Sequence, residues 1–470
     1  MKKQTFKKSL LGSLLVIPAL FSLTGCGSEE SAFRAYDVEK DGDPTKLSAK
    51  VVFWHTMGDV LEKVVTEAIT SFNKVYPNIT IELSNQGDYN GIKDKLTKAI
   101  PAGTTPTMAF CYPDHVAEYL TSGAIEEMGQ YSTDSVIGFG KDSTESGGVS
   151  DFISNFWQEG QVYTDSGIFS LPFAKSTEVM FYNKSEFTKH GYSVPTTWDE
   201  LWTLCAKIKT DYASLSDFVP IGIDSDSNFY ISLSEQYGIP FTSKETSEAS
   251  GHYLFNNDQA KAKVSELKSF FDRGYFITEG TSPSNAYTSS RFLKGAVNGG
   301  SLMTIGSTGG TSYDYPGTAA DTFDVQVALP PAKDSASHKV ITQGPAVTFF
   351  KRSSLKSKYA AWLFYKWVTN TDNSAAYALA SGYEPVRNSS YLTPAYQTML
   401  NYTADDKTLL FSKVARVTKT MEDYYFSSPV FVGSAKARTE VGKMLASVLL
   451  GEKTVDKAFS DALTACVYAE

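Results

Sequence analysis

Hydrophobic positions along the chain fall into two alternating spacings. Val51, Val52, Phe53 and Trp54 form an unbroken apolar run, which predicts a buried strand. Val60, Leu61, Val64, Val65, Ala68 and Phe72 then recur at helical spacing and stop at Tyr76-Pro77, where proline cannot continue a helix. Residues 79–83 and 107–112 read as the next two strands. Strand, helix and strand in succession predict α/β lobes with mainly parallel strands. Further on, Thr197 precedes an apolar face of Trp198, Leu201, Trp202, Cys205 and Ile208, with Glu200 placed to close a capping box. Residues 258–273, 355–370 and 434–450 carry helical spacing as well. Residues 302–305 read as a strand running into Gly306-Ser307-Thr308-Gly309-Gly310. Residues 325–329 read as a strand leaving for a new region. Near the middle, the polar step Lys175-Ser176-Thr177 runs directly into apolar residues 179–182. That order predicts a buried strand with hydroxyls at its mouth.

The first 25 residues follow different rules. Lys2, Lys3, Lys7 and Lys8 precede an apolar segment over 10–23, too short for a stop-transfer span, which is the layout of a secretion signal. It ends Leu23-Thr24-Gly25-Cys26-Gly27 and resembles the lipobox of bacterial lipoproteins, which implies lipidation of the Cys26 thiol. Residues 26–48 are expected to form a polar tether between lipid and domain. Removing the signal takes away four basic residues and no acidic one, so the mature chain is more acidic than the formal −9 of the whole. An acidic surface repels nucleic acid and anionic headgroups, which leaves acyl chains to hold the protein at the membrane. Cys111, Cys205 and Cys466 match no metal or redox spacing.

Motifs of catalysis are missing: the sequence has no phosphate loop, HExxH, nucleophile elbow or strand-linked GxGxxG. Its five histidines include no pair at ligand spacing. Asp224, Asp226, Asn228 and Glu235 fall at positions one, three, five and twelve of a calcium loop, but Phe229 stands where such a loop turns on glycine. A polar loop with aromatics at its tip is expected there, and no metal or other cofactor. Aromatic residues are abundant, with 27 Tyr and 29 Phe, and such side chains line concave ligand sites.

Several stretches carry a resemblance in their order and spacing: Phe53-Trp54-His55-Thr56-Met57, LPFAKSTEVMFYNK followed by PTTWDEL, SLMTIGSTGG, VALPP, TQGPAVTFF and SGYEPVR. From Val51 onward the chain resembles the type II solute-binding proteins of bacterial ABC importers, in the family that includes the maltose- and glycerol-3-phosphate-binding proteins. The resemblance implies a two-lobed α/β fold with a ligand cleft between lobes joined by two or three crossovers. It places lobe 1 at 49–160 and 325–375, and lobe 2 at 161–324 and 376–470. Carried over position by position, it implies ligand contacts at Tyr89, Ser176, Trp198, Ser307, Gly344 and Tyr383. Where the family has an acidic residue, Pro113 stands, with Asp114 one step on. Where it has a phosphate-binding arginine, Phe431 stands. Trp54 and Tyr112 add rings for sugar C–H faces, while Asp114, Ser176 and Ser307 add oxygens for hydroxyl edges. With Phe431 carrying no charge, Lys175 is expected to neutralise an anionic solute. The function implied is a non-enzymatic, lipid-anchored, monomeric substrate-binding component on the outer face of the cell membrane. It would take a sugar or polyol, with glycerol-3-phosphate or a glycerophosphodiester as the alternative, and deliver it to permease subunits. A surface lipoprotein enzyme acting on polysaccharide is the rival of another class.

Overall fold

The structure is a computed structural model that describes residues 33–141, 148–163, 165–245, 250–317, 322–404 and 406–467. The signal segment, Cys26 and the start of the expected tether lie outside the described residues. Two sheets organise the rest. In the first, strand Ala49–His55 pairs in parallel with Ile79–Asn85 on one side and Met108–Cys111 on the other. Ala346–Phe349 then adds antiparallel to Met108–Cys111, and Leu171–Pro172 closes the edge. Helix Leu355–Val368 packs on strand Ala49–His55 and is buried nearly all round, with Trp362, Phe364 and Tyr365 fully enclosed. An apolar perimeter of this kind marks a helix sunk in a core.

The second sheet is mixed. Ser176–Asn183 lies between Val340–Gln343 and Met303–Ser307, antiparallel to both, and Val325–Ala328 also pairs with it. Met303–Ser307, Ile221–Ile223 and Phe276–Thr278 are mutually parallel. A separate aromatic and aliphatic core backs this sheet, built from helices Trp198–Asp211, Asp226–Tyr237, Asp258–Asp272 and Ser434–Leu449. The capping box is formed: Thr197 accepts from the Glu200 amide and Glu200 returns to the Thr197 amide.

The two sheets show where the chain changes lobes, and two boundaries differ from those expected. The first passage runs through residues 173–175 and not at 160/161, because Leu171–Pro172 still belongs to the first sheet. The second runs through 344–345 and not at 324/325, because Val325–Ala328 pairs inside the second sheet. Helix Thr371–Leu379 packs on first-lobe helix Asp59–Val75, whereas Lys407–Thr418 lies against Val325–Ala328. The end of the expected tether is also structured. Tyr36 is buried on Tyr359, its amide donates to Asp134 at 2.7 Å, and Phe33 meets the edge of Tyr131. Composition hid this because two aromatic anchors are enough to dock an otherwise polar segment.

Candidate functional site

Parallel strands in α/β sheets point their carboxyl ends at the ligand crevice, and both lobes do so here. After strand Ile79–Asn85, Asp88 caps helix Tyr89–Ala102, accepting from the Gly91 amide at 2.7 Å. After Met108–Cys111 come Tyr112, Pro113 and Asp114 at the start of helix Pro113–Leu120. Tyr89 and Tyr112 stack with centroids 4.1 Å apart. Burial and the neighbouring phenols Tyr112, Tyr383 and Tyr377 push the Tyr89 hydroxyl well above its ordinary range, and burial lifts Tyr383 to about 12. These rings therefore form one cluster of protonated phenols, able to donate as well as accept.

From the second lobe, Ser307 ends its strand and caps the 3-10 helix Thr308–Tyr313, accepting from the Gly309 amide at 3.2 Å. Gly309 lies directly beneath Tyr383: a β-carbon there would sit 2.8 Å from Cζ of that ring. Ser176 is buried beside Gln343, at the point where the strand leaves the hinge. Gly344 crosses between lobes at φ +114°, and a β-carbon would meet the Ala174 carbonyl oxygen at 2.6 Å. Only glycine fits that crossing.

A cavity of about 80 Å³ lies between the lobes, lined by Tyr112, Asp114, Gln343, Ser427, Ser428 and Arg438 among others. The Ser428 hydroxyl is buried without a partner. Arg438, on helix Ser434–Leu449, donates to the side-chain oxygen Oδ1 of Asn228, and the Asn228 side-chain Nδ2 donates to Glu178 at 2.8 Å and to Gln343 at 2.9 Å. Burial lifts the Glu178 carboxyl to about 7, against the opposing pull of Asn228 and Arg438. Arg438 was not singled out from sequence. Its signal was available: it directly follows buried Ala437 and lies three before buried Val441, at the border of the apolar stripe.

Two expected contacts are placed otherwise. Trp198 is 4% exposed in the second-lobe core, against Trp202 and Phe229, with its indole N–H given to Gln236 at 2.7 Å. It has neither a free face nor a free donor for a solute, because helix periodicity turned it inward with Leu201 and Cys205. Lys175 lines the cavity but is 1% exposed and ion-paired with Glu159, which also accepts from Thr342 at 2.9 Å. Its charge is committed to tying the crossovers together and is not left over for an anion. Trp54 is half-buried against the first-lobe core. Phe431, in the arginine's place, is buried flat on Gly251 and beside Tyr253. Of the calcium-like positions, Asp224 follows strand Ile221–Ile223, while Asp226, Asn228 and Glu235 lie in the capped helix Asp226–Tyr237 with Phe229 in the core, so a helix stands where a polar loop was expected, and the described residues contain no cluster suited to a metal.

The family model for bacterial extracellular solute-binding proteins matches residues 67–404. The sn-glycerol-3-phosphate-binding periplasmic protein UgpB of Salmonella paratyphi A is 25% identical over 433 residues, covering 88% of this chain and 90% of that one. Its namesake in Escherichia coli K12 is 25% identical over 359 residues, 73% and 75% of the two chains. Among solved structures, UgpB from Mycobacterium tuberculosis in complex with glycerophosphocholine superposes with a TM-score of 0.72 at 18% identity, over 89% of this chain and 98% of that one. Maltose-bound T. maritima MalE3 superposes with a TM-score of 0.68 at 17% identity, over 90% and 100%.

Proposed function

Because the chain belongs to the bacterial extracellular solute-binding protein family, we propose that it is the lipid-anchored substrate-binding component of an ABC importer, capturing a carbohydrate or polyol between its lobes. One observation carries this: the stacked rings Tyr89 and Tyr112, with Tyr383 over Gly309 close by, stand beside an inter-lobe cavity lined by Tyr112, Asp114, Gln343, Ser428 and Arg438 together with apolar Ile231, Phe241 and Ile341. Rings cover the C–H faces of a sugar, and hydroxyls, amides and carboxylates satisfy its edges. The relatives are binding proteins of transporters and not enzymes. Ligand pockets usually hold about 300 Å³ or more, so the 80 Å³ cavity is one part of the cleft that would receive a solute. Solute enters after the lobes part about the 173–175 and 344–345 passages, and contacts with both lobes then favour closure. The closed form docks on the permease.

A second solute class, glycerol-3-phosphate or a glycerophosphodiester, is supported by the ligands of the UgpB relatives and by Arg438 in the cleft. Arg438 holds Asn228 through one terminal nitrogen, and the other N–H groups of its fork are the donors a phosphate would take. Differential melting against mono- and oligosaccharides, polyols, glycerol-3-phosphate and glycerophosphodiesters decides, because bound ligand raises stability by mass action. A shift with any of these supports the reading, and no shift with all of them removes it. Among the described residues no helix is long and apolar enough to cross a membrane, and attachment is assigned to Cys26. Labelled palmitate is expected in the wild type and absent in Cys26→Ser, with the variant released to the medium; unchanged labelling contradicts the anchor.

A further inference from the structure

A second cavity, of about 210 Å³, adjoins the 80 Å³ one, and three stretches of chain line both. Helix Pro113–Leu120 gives Asp114 to the first space and Ala117 and Leu120 to the second. Residues 241–244 give Phe241 and Thr242 to the first and Lys244 to the second, and Val430 stands in the wall of both. Phe431 and Val432 carry that wall onward. Phe431 is fixed to the second lobe by Gly251, which leaves its ring the room a β-carbon would take, and by Tyr253, with ring centroids 5.6 Å apart. The second cavity is therefore walled by both lobes, as the first is.

The two spaces differ in what their polar groups lack. In the first, the hydroxyls of Thr242 and Ser428 are buried with no partner among the described residues, and Arg438 bonds Asn228 through one nitrogen of its fork. Groups of that kind call for a hydroxylated ligand. In the second, each polar side chain already has a hydrogen bond or an opposite charge within the protein. Tyr163 bonds with Ser170 at 3.0 Å, Thr121 donates to the Glu118 carbonyl at 2.7 Å, and Lys244 donates to the Val162 carbonyl at 3.2 Å. Asp165, exposed, lies near Lys244 and offsets its charge. The surface left for a ligand there is apolar, from Ala117, Leu120, Val430, Phe431 and Val432. Val432 is 46% exposed, so covering it removes apolar area from water. A hydroxyl entering this space would lose water without finding a partner, whereas an alkyl or aryl group has none to lose.

We propose that the solute is amphipathic, with a hydroxylated head in the first cavity and an uncharged alkyl or aryl substituent in the second. The inference rests on the space between the lobes being the solute site. Because both lobes touch the substituent, it adds to the preference for the closed form. Calorimetry with matched series tests this: methyl, n-propyl, n-butyl and phenyl β-glycosides of glucose and of galactose, and glycerol-3-phosphate against its 1-butanoyl ester. In at least one series affinity should rise about threefold per added methylene, and about tenfold from methyl to phenyl. The gain should be the same at low and high salt, since no charge is added. It should fall to nearly one in Val432→Asp, an exposed position that sets a charge in the apolar space without disturbing the core, and in Leu120→Asn. A flat or falling trend with every head group that binds overturns the inference and leaves the proposed function standing. A gain that survives both substitutions also overturns it. If no compound of any series binds, the proposed solute classes fall and the inference with them.

Discussion

Glu384 sits where the lobes cross, its backbone bridged to Lys175 and its carboxyl buried. Tyr425 donates to one oxygen at 2.7 Å and Tyr391 lies at 3.4 Å from the other, yet burial dominates and lifts the group to about 8. The folded protein therefore holds Glu384 protonated at neutral pH, while the unfolded chain releases that proton near the ordinary glutamate value. A raised carboxyl contributes stability that is complete below about pH 4.5 and is lost as pH rises to about 8, at about 1.4 kcal/mol per unit at most. Denaturant melts of wild type and Glu384→Gln across pH 5–9 check this. The wild type should lose stability relative to the variant over that window, and parallel profiles contradict the assignment. Among solute contacts, Tyr112→Ala should lower affinity about tenfold or more by removing one face of the Tyr89 stack, measured by calorimetry with whichever compound shifts the melt.

The elements were more legible than the contacts they make. Helices over 258–273, 355–370 and 434–450 appear within two residues of their apolar stripes, and the Thr197 box is formed as its spacing requires. Local periodicity and capping are written in neighbouring residues, so sequence shows them directly. What it does not show is which of two apolar environments an aromatic residue enters. Trp198 has the same local pattern whether it lines a cleft or a core, and Gln236, its partner, lies 38 residues away. Lys175 likewise finds Glu159 sixteen residues back, across a hinge that no local pattern marks. Gly344 is the element-scale weak point. Gly344→Val places a side chain against Ala174 at a positive φ and should cost about 2 kcal/mol or more, with solute affinity falling because the crossing is displaced. A variant with wild-type melting and affinity would contradict the role given to that crossing.

At the scale of the whole molecule, two sheets meet at a cleft toward which their parallel strands end, one large core running from the first sheet onto Val179, Phe181, Val325 and Val340 of the second and another core backing the second alone. The fold class was legible from strand–helix alternation and from the spacing of the quoted stretches. The passages between lobes were not, because a strand's partners are chosen by tertiary pairing: Val325–Ala328 looks the same in either sheet until Ser176–Asn183 is beside it. Function follows if the lobes move as bodies about those passages. Donor and acceptor dyes at Lys95→Cys in the first lobe and Lys294→Cys in the second measure this motion, since Cys111, Cys205 and Cys466 are buried and label poorly. A solute that raises the melting temperature should also raise transfer efficiency between the dyes, in proportion to occupancy. A solute that stabilises the protein with no change in transfer would contradict capture by closure.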